Sequence, residues 1–276
     1  MNAFQAFILG ITQGVTEFLP VSSDGHLILV PALFGWKRFG LGFDVVLHAA
    51  TLLATIVYFR HDVARLLVAL VTRAPERARD RRLALVVLGA TVPSAALALG
   101  LEPLVERVDG LPMSTQTTVA AVFLLVTAAL LAGAEAIATR VSKHIPSAED
   151  ISWPRALIIG VAQGFAVAPG LSRSGTTMAA GVALGLEREE AARFSFLLSI
   201  PIVAAATAKK VLIDVVIGGE ALPGVVPVAV GLVTTAVVGY GAIALLLPYV
   251  RKHSLYVFAI YTAVVGTAIL VTKLLF

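Results

Sequence analysis

Residues 8–26 of the chain read ILGITQGVTEFLPVSSDGH, and residues 158–176 read IIGVAQGFAVAPGLSRSGT. At a fixed offset of 150 positions, six of these 19 residues are identical: Ile8, Gly10, Gln13, Gly14, Ser22 and Gly25 recur as Ile158, Gly160, Gln163, Gly164, Ser172 and Gly175. In both copies an apolar run is broken by Pro and followed by a Gly- and Ser-rich turn. The recurrence predicts an internal duplication, with a first repeat over 1–150 and a second over 151–276.

The composition of the chain is that of a membrane protein. Hydrophobic residues make up 58% of the sequence and charged residues 14%, and the mean hydropathy is +0.93. A soluble domain carries about 25% charged residues. We therefore expect one membrane domain over 1–276 rather than two soluble domains. There is no Cys, which excludes a disulfide framework and a thiolate metal site.

Apolar stretches of two kinds alternate along the chain. Six are long enough, or nearly so, to span a bilayer as helices of about 20 residues: 43–59, 84–101, 117–139, 194–217, 222–247 and 255–276. Two others are short and broken, and they cover 3–19 with 27–34 and 156–168 with 175–186. Broken backbone at membrane depth has to be covered by protein or by a wet cavity. We interpret these two as re-entrant helix pairs that enter and leave by the same face.

Basic residues are distributed unevenly between the two sides of this topology. Segments 60–82, 140–155, 186–193 and 248–254, interpreted as loops on one side, hold 14 of the 21 Lys and Arg. By the positive-inside rule that side is cytoplasmic, so loop 102–116 and both termini face outward. Lys209 and Lys210 also fall on the outer side, where the rule does not explain them. Because the basic residues lie between apolar spans, the pI near 9.6 does not predict a nucleic-acid partner.

Three spans in each half determine how the halves are related. Three is an odd number, so the second repeat is inverted relative to the first. The predicted fold is an all-α polytopic membrane protein with six transmembrane helices and two re-entrant helix pairs in an inverted-topology repeat. Repeats of this kind place a site near the midplane, where discontinuous helices meet.

The first turn concentrates polar groups in an apolar protein. Gln13 and Glu17 are four residues apart and share a helix face, and Pro20 ends that helix. The turn that follows holds Ser22, Ser23, Asp24 and His26. Ionisable groups within membrane segments are costly and mark functional sites. The alternative is a solvated interfacial loop that is merely polar.

The second turn has the composition of an anion site. Gly170 and Gly175 permit a tight turn, and Ser172, Ser174 and Thr177 lead into the next apolar helix. Free amides at a helix N-terminus attract anions, and the guanidinium of Arg173 can bind phosphate oxygens in a bidentate manner. The alternative is a charge at the cytoplasmic rim without a ligand.

Together the two turns resemble a known family. The motif from Glu17 to His26, the motif from Pro169 to Gly175 and the segment from Arg193 to Pro201 are similar to those of the undecaprenyl-pyrophosphate phosphatase family of bacterial membranes, and the resemblance covers nearly the whole chain. It implies removal of the terminal phosphate of undecaprenyl pyrophosphate, which recycles the carrier lipid for cell-wall synthesis. It also implies a link to bacitracin resistance, a divalent cation (Mg²⁺ or Ca²⁺), and an active site that opens to the periplasmic side of the inner membrane.

The resemblance also assigns roles to individual residues. Glu17 matches the essential carboxylate, and Gln13 occupies the preceding motif position, where many members have Glu. Ser22, Ser23 and His26 match a serine–histidine segment, while Ser172, Arg173, Ser174 and Gly175 match a phosphate-binding segment that Thr177 follows. Asp24 departs from the pattern, since better-known relatives often carry Thr there. With Glu17 and Gln13, Asp24 completes our predicted set of metal ligands.

A mechanism follows as a hypothesis. Ser23 is the favoured nucleophile, with Glu17 or His26 as the base that takes its proton. Attack by water, or by His26 itself, stays open. Arg173 and the amides of 172–175 would hold the phosphate oxygens as charge builds up in the transition state.

Two other classes of function were weighed against a phosphatase. A transporter or flippase would share the inverted repeats and the midplane anion site, but it does not need the acid–base set of Glu17, Ser23, Asp24 and His26. A purely structural protein would leave both motifs unexplained. The expected partners are a polyprenyl pyrophosphate lipid and the surrounding membrane lipids, and a homodimer is one assembly that the sequence leaves open.

Overall fold

A computed structural model describes residues 1–36, 41–72, 74–140, 145–218 and 223–275. Arg73 and Lys143, counted above among the cytoplasmic basic residues, lie outside the described residues. So do Leu222 and Phe276, at the edges of two predicted spans.

Helices make up most of the described chain. Their bounds are α1 Ala3–Thr16, α2 Ser23–Leu33, α3 Leu41–Tyr58, α4 Arg60–Val71, α5 Ala78–Asp109, α6 Met113–Ala138, α7 Trp153–Phe165, α8 Arg173–Ala183, α9 Arg188–Lys210, α10 Val225–Lys252 and α11 Tyr256–Leu275. Short 3₁₀ turns cover Pro75–Arg77 and Ala148–Asp150, and α9 continues as a π-helix over Val211–Ile217.

Five of the described helices are long and apolar enough to cross a membrane. They are Pro75–Asp109, Met113–Ala138, Arg188–Ile213, Val225–Lys252 and Tyr256–Leu275, and a further pair, Gly42–Tyr58 and Arg60–Val71, meets at a bend of 81°. Each of the six predicted spans falls on one of these helices or on the bent pair, and the two broken stretches fall on the short pairs α1–α2 and α7–α8. The number of spans and the re-entrant course of the short pairs stay predictions. The all-α, multi-pass membrane class is confirmed. The inverted relation of the two repeats stays a prediction.

The arginine-rich segment 60–82 is not a loop as predicted. It folds as α4, a 3₁₀ turn and the start of α5. Leu66 and Ala69 are buried on one face of α4, so the segment has an apolar side to pack, and Arg65 pairs with Asp62, Asp80 and Glu149. The predicted loop 102–116 is also largely helical, because α5 continues through Pro103 to Asp109.

Two ion pairs mark opposite ends of α9. Near its start, Arg193 Nη2 lies 2.5 Å from Asp62 Oδ1 of α4, at the arginine-rich end of the molecule. Near its finish, Lys209 binds the carboxylate of Glu102 on α5. Lys209, which the positive-inside rule leaves unexplained, is therefore a partner of an acidic residue at the opposite end.

The short helices α1 and α7 pack on long helices through glycine. A Cβ added to Gly14 would lie 2.9 Å from Val238 Cβ of α10, and one added to Gly160 would lie 2.1 Å from the carbonyl oxygen of Ala90 in α5. Each short helix therefore contacts a long helix of the other half of the sequence. This arrangement brings the ends of α1 and α7, and the turns that follow them, to the middle of the bundle.

Candidate active site

The turn between α1 and α2 carries the first motif. α1 ends where the N–H of Glu17 donates to the carbonyl of Gln13. Ser22 caps the start of α2, because its Oγ accepts the N–H of Gly25 at 3.3 Å. Ser22 has φ 73°, and it is the one residue other than glycine with a positive φ in the described chain. Strained backbone of this kind is enriched at active sites.

The turn between α7 and α8 carries the second motif and is built in a similar way. Ser172 caps the start of α8, and its Oγ accepts the N–H of Gly175 at 3.0 Å. Gly170 has φ 94°, and a Cβ there would lie 2.3 Å from the carbonyl oxygen of Ala120 in α6, so only glycine fits.

Glu17 and Arg173 are in direct contact although 156 positions separate them. Arg173 Nη2 donates to Glu17 Oε1 at 2.5 Å, and Glu17 is 7% exposed. Its other oxygen, Oε2, accepts Ser23 Oγ at 2.6 Å and Gln13 Nε2 at 3.0 Å. The structure thus brings three other predicted site residues, Gln13 from α1 and Ser23 and Arg173 from the two turns, to the carboxylate of Glu17.

One nitrogen of the Arg173 guanidinium has no hydrogen-bond partner in the described chain. This nitrogen, Nη1, is buried. The N–H groups of Arg173 and Ser174 begin α8 and have no carbonyl within the helix to bond, whereas Ser172 and Gly175 donate theirs to side-chain oxygens. A buried donor without an acceptor is costly, and an anion between Arg173 and the start of α8 would supply the missing acceptor.

The remaining residues of the second motif serve the turn itself. Ser174 Oγ donates to the carbonyl of Leu19 at 3.1 Å, which joins this turn to the first one. Thr177 Oγ1 bonds to the carbonyl of Arg173 at 2.8 Å and to Ser195 Oγ of α9 at 2.6 Å. Together with the hydrogen bond from Gly175 N–H to Ser172 Oγ, these contacts fix the position of Arg173. The predicted role of these residues in binding substrate stays a prediction.

His26 is turned away from Glu17 and Ser23. Its Nδ1 lies 2.7 Å from the carbonyl oxygen of Ser22, and its Nε2 lies 2.8 Å from the hydroxyl of Tyr261 on α11. Both ring nitrogens therefore have partners. Ser23, in contrast, already makes the hydrogen bond to a carboxylate that a nucleophile needs.

His48 of α3 is a site residue that the sequence reasoning missed. Its Nδ1 lies 2.8 Å from the carbonyl oxygen of Asp44, and its Nε2 lies 3.7 Å from Asp24 Oδ1 and 4.0 Å from Glu17 Oε2. Since a carbonyl only accepts, Nδ1 carries the hydrogen and Nε2 faces the two carboxylates. An imidazole within the predicted span 43–59 was the available signal.

A crevice too narrow for a water molecule continues the site between α3 and α9. Besides Glu17 and Arg173 it is lined by Thr51, Leu52, Thr55, Ser199 and Val203. Ser199 lies about 9 Å along α9 from Arg193 and about 15 Å from Lys209. The crevice is therefore near the middle of α9, and the position of the site at the membrane midplane stays a prediction.

An aromatic layer separates the site from the arginine-rich end. Phe18, next to Glu17, packs edge-on against Phe196 of α9 with ring centroids 5.5 Å apart, and Phe59 packs against Phe196 at 6.2 Å. Phe196 lies one turn from Arg193, which binds Asp62. Asp24, on the other side of Glu17, has a side chain that is 46% exposed.

The predicted metal ligands fit a hard cation that is shared with a substrate. Within the part of the chain that the structure describes, no three His, Asp or Glu side chains form a complete metal site by themselves. Mg²⁺ needs only one or two carboxylates when water and phosphate oxygens complete its shell. Glu17 and Asp24 would supply those carboxylates, and Gln13 Oε1 is a buried oxygen without a partner in the described chain; the cation itself stays a prediction.

Comparison with known proteins identifies the family of the chain. The family model described as bacitracin resistance protein BacA matches residues 6–268. Similar proteins named undecaprenyl-diphosphatase occur in Geobacter metallireducens (41% identity, 98% of each chain), Desulforudis audaxviator (41% identity, 100% of this chain and 99% of the relative) and Chlorobium chlorochromatii (39% identity, 98% and 96%). With a match over nearly its whole length, the chain belongs to the bacitracin resistance protein BacA family.

Proposed function

We propose that the chain is an undecaprenyl-diphosphatase that removes the terminal phosphate of undecaprenyl pyrophosphate at Glu17, Ser23 and Arg173. The observation that carries this proposal is the contact of Glu17 with Arg173, because it joins a carboxylate, a hydroxyl and a guanidinium with a spare donor within a single phosphate's reach. Relatives about 40% identical over their full length bear the same enzyme name.

Arg173 is placed to bind substrate without releasing Glu17. Nη2 can stay on the carboxylate while Nη1 and the backbone N–H groups of Arg173 and Ser174 take phosphate oxygens. These donors gain most when charge accumulates on the transferring phosphoryl group. Arg173 therefore orients the terminal phosphate and stabilises the transition state.

Ser23 is the nucleophile in our mechanism. Its Oγ attacks the terminal phosphorus while its proton passes to Glu17 Oε2, 2.6 Å away. The anhydride P–O bond breaks, undecaprenyl phosphate leaves, and water then hydrolyses the phosphoserine to release inorganic phosphate. Direct attack by water with Glu17 as the base remains the alternative, and trapping a phosphoenzyme distinguishes the two.

A divalent cation supplies charge compensation for the pyrophosphate when it is bound. Glu17 and Asp24 would hold it, with the oxygen of Gln13 as a neutral ligand. Gln13 brings no negative charge to the cation. The carboxylate of Asp24, the second one after Glu17, would supply the charge that the Gln13 amide lacks. This division of charge is specific to a chain that has Gln at 13 and Asp at 24.

The site is proposed to open to the periplasmic side of the bacterial plasma membrane. The layer of Phe18, Phe59 and Phe196 and the Asp62–Arg193 pair support this orientation, because they block the arginine-rich end. That end is cytoplasmic by the positive-inside rule. A lipid pyrophosphate would reach Glu17 from the opposite leaflet, with its prenyl chain still in the bilayer.

The deciding experiment measures phosphate release from undecaprenyl pyrophosphate by detergent-solubilised protein, with and without a chelator. In detergent there is no compartment to transport across, so release distinguishes hydrolysis from lipid transport. We expect Glu17→Gln, Arg173→Ala and Ser23→Ala each to lower kcat at least about 100-fold, the scale of a lost transition-state donor or base. Wild-type rates in Glu17→Gln or Arg173→Ala would exclude this site.

A further inference from the structure

The active-site turn depends on a strained residue. Ser22 has φ 73° and ψ 100°, in the left-handed region where a side chain is disfavoured. It directly precedes Ser23, so the direction of the Ser22 peptide sets where Ser23 Oγ points. Contacts that hold Ser22 in this conformation therefore also hold Ser23 on Glu17.

His26 provides the closest of these contacts. The carbonyl oxygen of Ser22 accepts the backbone N–H of His26 at 3.3 Å and lies 2.7 Å from Nδ1 of its ring. Because a carbonyl cannot donate, Nδ1 carries a hydrogen in this contact. The imidazole thus clamps the strained peptide from one turn further along α2.

Tyr261 of α11 holds the imidazole in turn. Its hydroxyl lies 2.8 Å from His26 Nε2, and the two rings are stacked with centroids 5.8 Å apart and an interplanar angle of 11°. With Nδ1 as the donor to Ser22, a neutral ring accepts the phenolic O–H at Nε2. The two residues are 235 positions apart, and α11 packs mainly on α6.

The second motif is supported from a long helix in the same manner. Thr127 Oγ1 of α6 accepts the N–H of Ser172 at 3.1 Å, at the point where α8 begins. Each motif turn is thus fixed by a side chain of a long helix that lies across the molecule: Thr127 for the turn that carries Arg173, and Tyr261 for the turn that carries Ser23.

We propose that Tyr261 is a positioning residue for hydrolysis, which acts through His26 and the strained Ser22 peptide to present Ser23 Oγ to Glu17. The inference rests on the proposed function in that it takes Ser23 and Glu17 as the reacting pair. It assigns His26 to the support of the turn rather than to proton transfer. Tyr261 itself does not touch the substrate in this role.

The test is kinetic and uses the full-length purified protein with undecaprenyl pyrophosphate. Tyr261→Phe removes one oxygen atom and keeps the stacked ring, so we expect folded protein with an unchanged thermal midpoint. Loss of one neutral hydrogen bond predicts a fall in kcat of about threefold to tenfold with KM within about twofold of wild type. His26→Gln should lower kcat further, and the double variant should be no slower than His26→Gln alone.

Tyr256→Phe is the matched control. Tyr256 and Tyr261 are both on α11 and both 43% exposed, but Tyr256 lies beside Leu255, whose N–H binds Glu135 away from the site. We expect wild-type kinetics for Tyr256→Phe.

Several outcomes would overturn the positioning role. A wild-type kcat in Tyr261→Phe is the first, and a raised KM at constant kcat, which indicates substrate contact, is the second. The others are a fall in rate that matches a loss of folded protein, and losses of activity that add up in the double variant. Glu17→Gln and Ser23→Ala, measured in parallel, separate the two levels. If they are inactive while Tyr261→Phe is fully active, only the positioning role fails; if they are active, the proposed site itself fails.

Discussion

At the residue scale, one carboxylate organises the site. Glu17 binds Arg173 through Oε1 and both Ser23 and Gln13 through Oε2. The same group thus fixes the phosphate-binding side chain and the hydroxyl that would attack the phosphate. Neither contact alone explains why a carboxylate is placed among apolar helices, whereas the pair of contacts matches what phosphoryl transfer requires.

Asp24 tests how charge is divided in this site. With Gln at 13, Glu17 and Asp24 are the two carboxylates available to a cation. We predict that Asp24→Asn raises the cation concentration needed for half-maximal activity, by about tenfold, with little change of kcat at saturating cation. The measurement is a Mg²⁺ and Ca²⁺ titration of phosphate release. An unchanged titration curve would exclude Asp24 as a ligand.

His48 supplies a second residue-scale prediction. Its Nε2 lies 3.7–4.0 Å from both carboxylates, too far for a direct hydrogen bond but close enough for a water to donate to the ring nitrogen and to a carboxylate at once. We expect His48→Phe to lower kcat/KM by about tenfold or more, and His48→Gln to lower it less. His61→Gln, at an exposed position of α4, is the control and should leave kcat/KM unchanged. Equal activity of His48→Phe and wild type would remove His48 from the site.

At the scale of helices, two starts carry local sequence signals that the apolar pattern alone does not use. Asn2 and Gln5 form a capping box at α1, and Pro154 lies in the first turn of α7. The prediction of a loop over 60–82 is wrong, because its many arginines indicate a solvated segment when the sequence alone is considered. The acidic partner that Arg65 finds outside this segment, Glu149, is not evident from spacing along the chain. His48 and Tyr261 share that limit, since spacing along the chain does not show what a side chain meets across the bundle.

Glycine contacts set how closely the short helices approach the long ones. A Cβ on Gly160 would lie 2.1 Å from the carbonyl oxygen of Ala90, so α7 and α5 would have to separate. We predict that Gly160→Ala destabilises the folded protein by about 1–3 kcal/mol and lowers its thermal midpoint in detergent. Gly133→Ala is the control, because a Cβ there meets nothing within 4 Å, and it should be neutral or slightly stabilising. Equal midpoints for the two variants would contradict the packing of α7 on α5.

At the scale of the whole molecule, the two turns are supported crosswise. α1 packs on α10 and α7 packs on α5, while the turn with Arg173 is fixed from α6 and the turn with Ser23 from α11. The site therefore depends on both halves of the chain at once. This mutual dependence is what the predicted inverted duplication would produce, although the duplication itself stays a prediction.

The orientation of the molecule gives the last prediction. Since the chain has no Cys, single cysteines report sidedness without background. Glu76 is exposed at the arginine-rich end, and Ser114 is exposed beyond the other end of α5, at the start of α6. In intact cells, a membrane-impermeant maleimide should label Ser114→Cys and leave Glu76→Cys unlabelled until the cells are opened, because the positive-inside rule predicts a cytoplasmic arginine-rich end. Phosphate release by each variant confirms that it is folded. The reverse labelling pattern would indicate that the site opens to the cytoplasm. The carrier lipid would then be dephosphorylated on the inner leaflet.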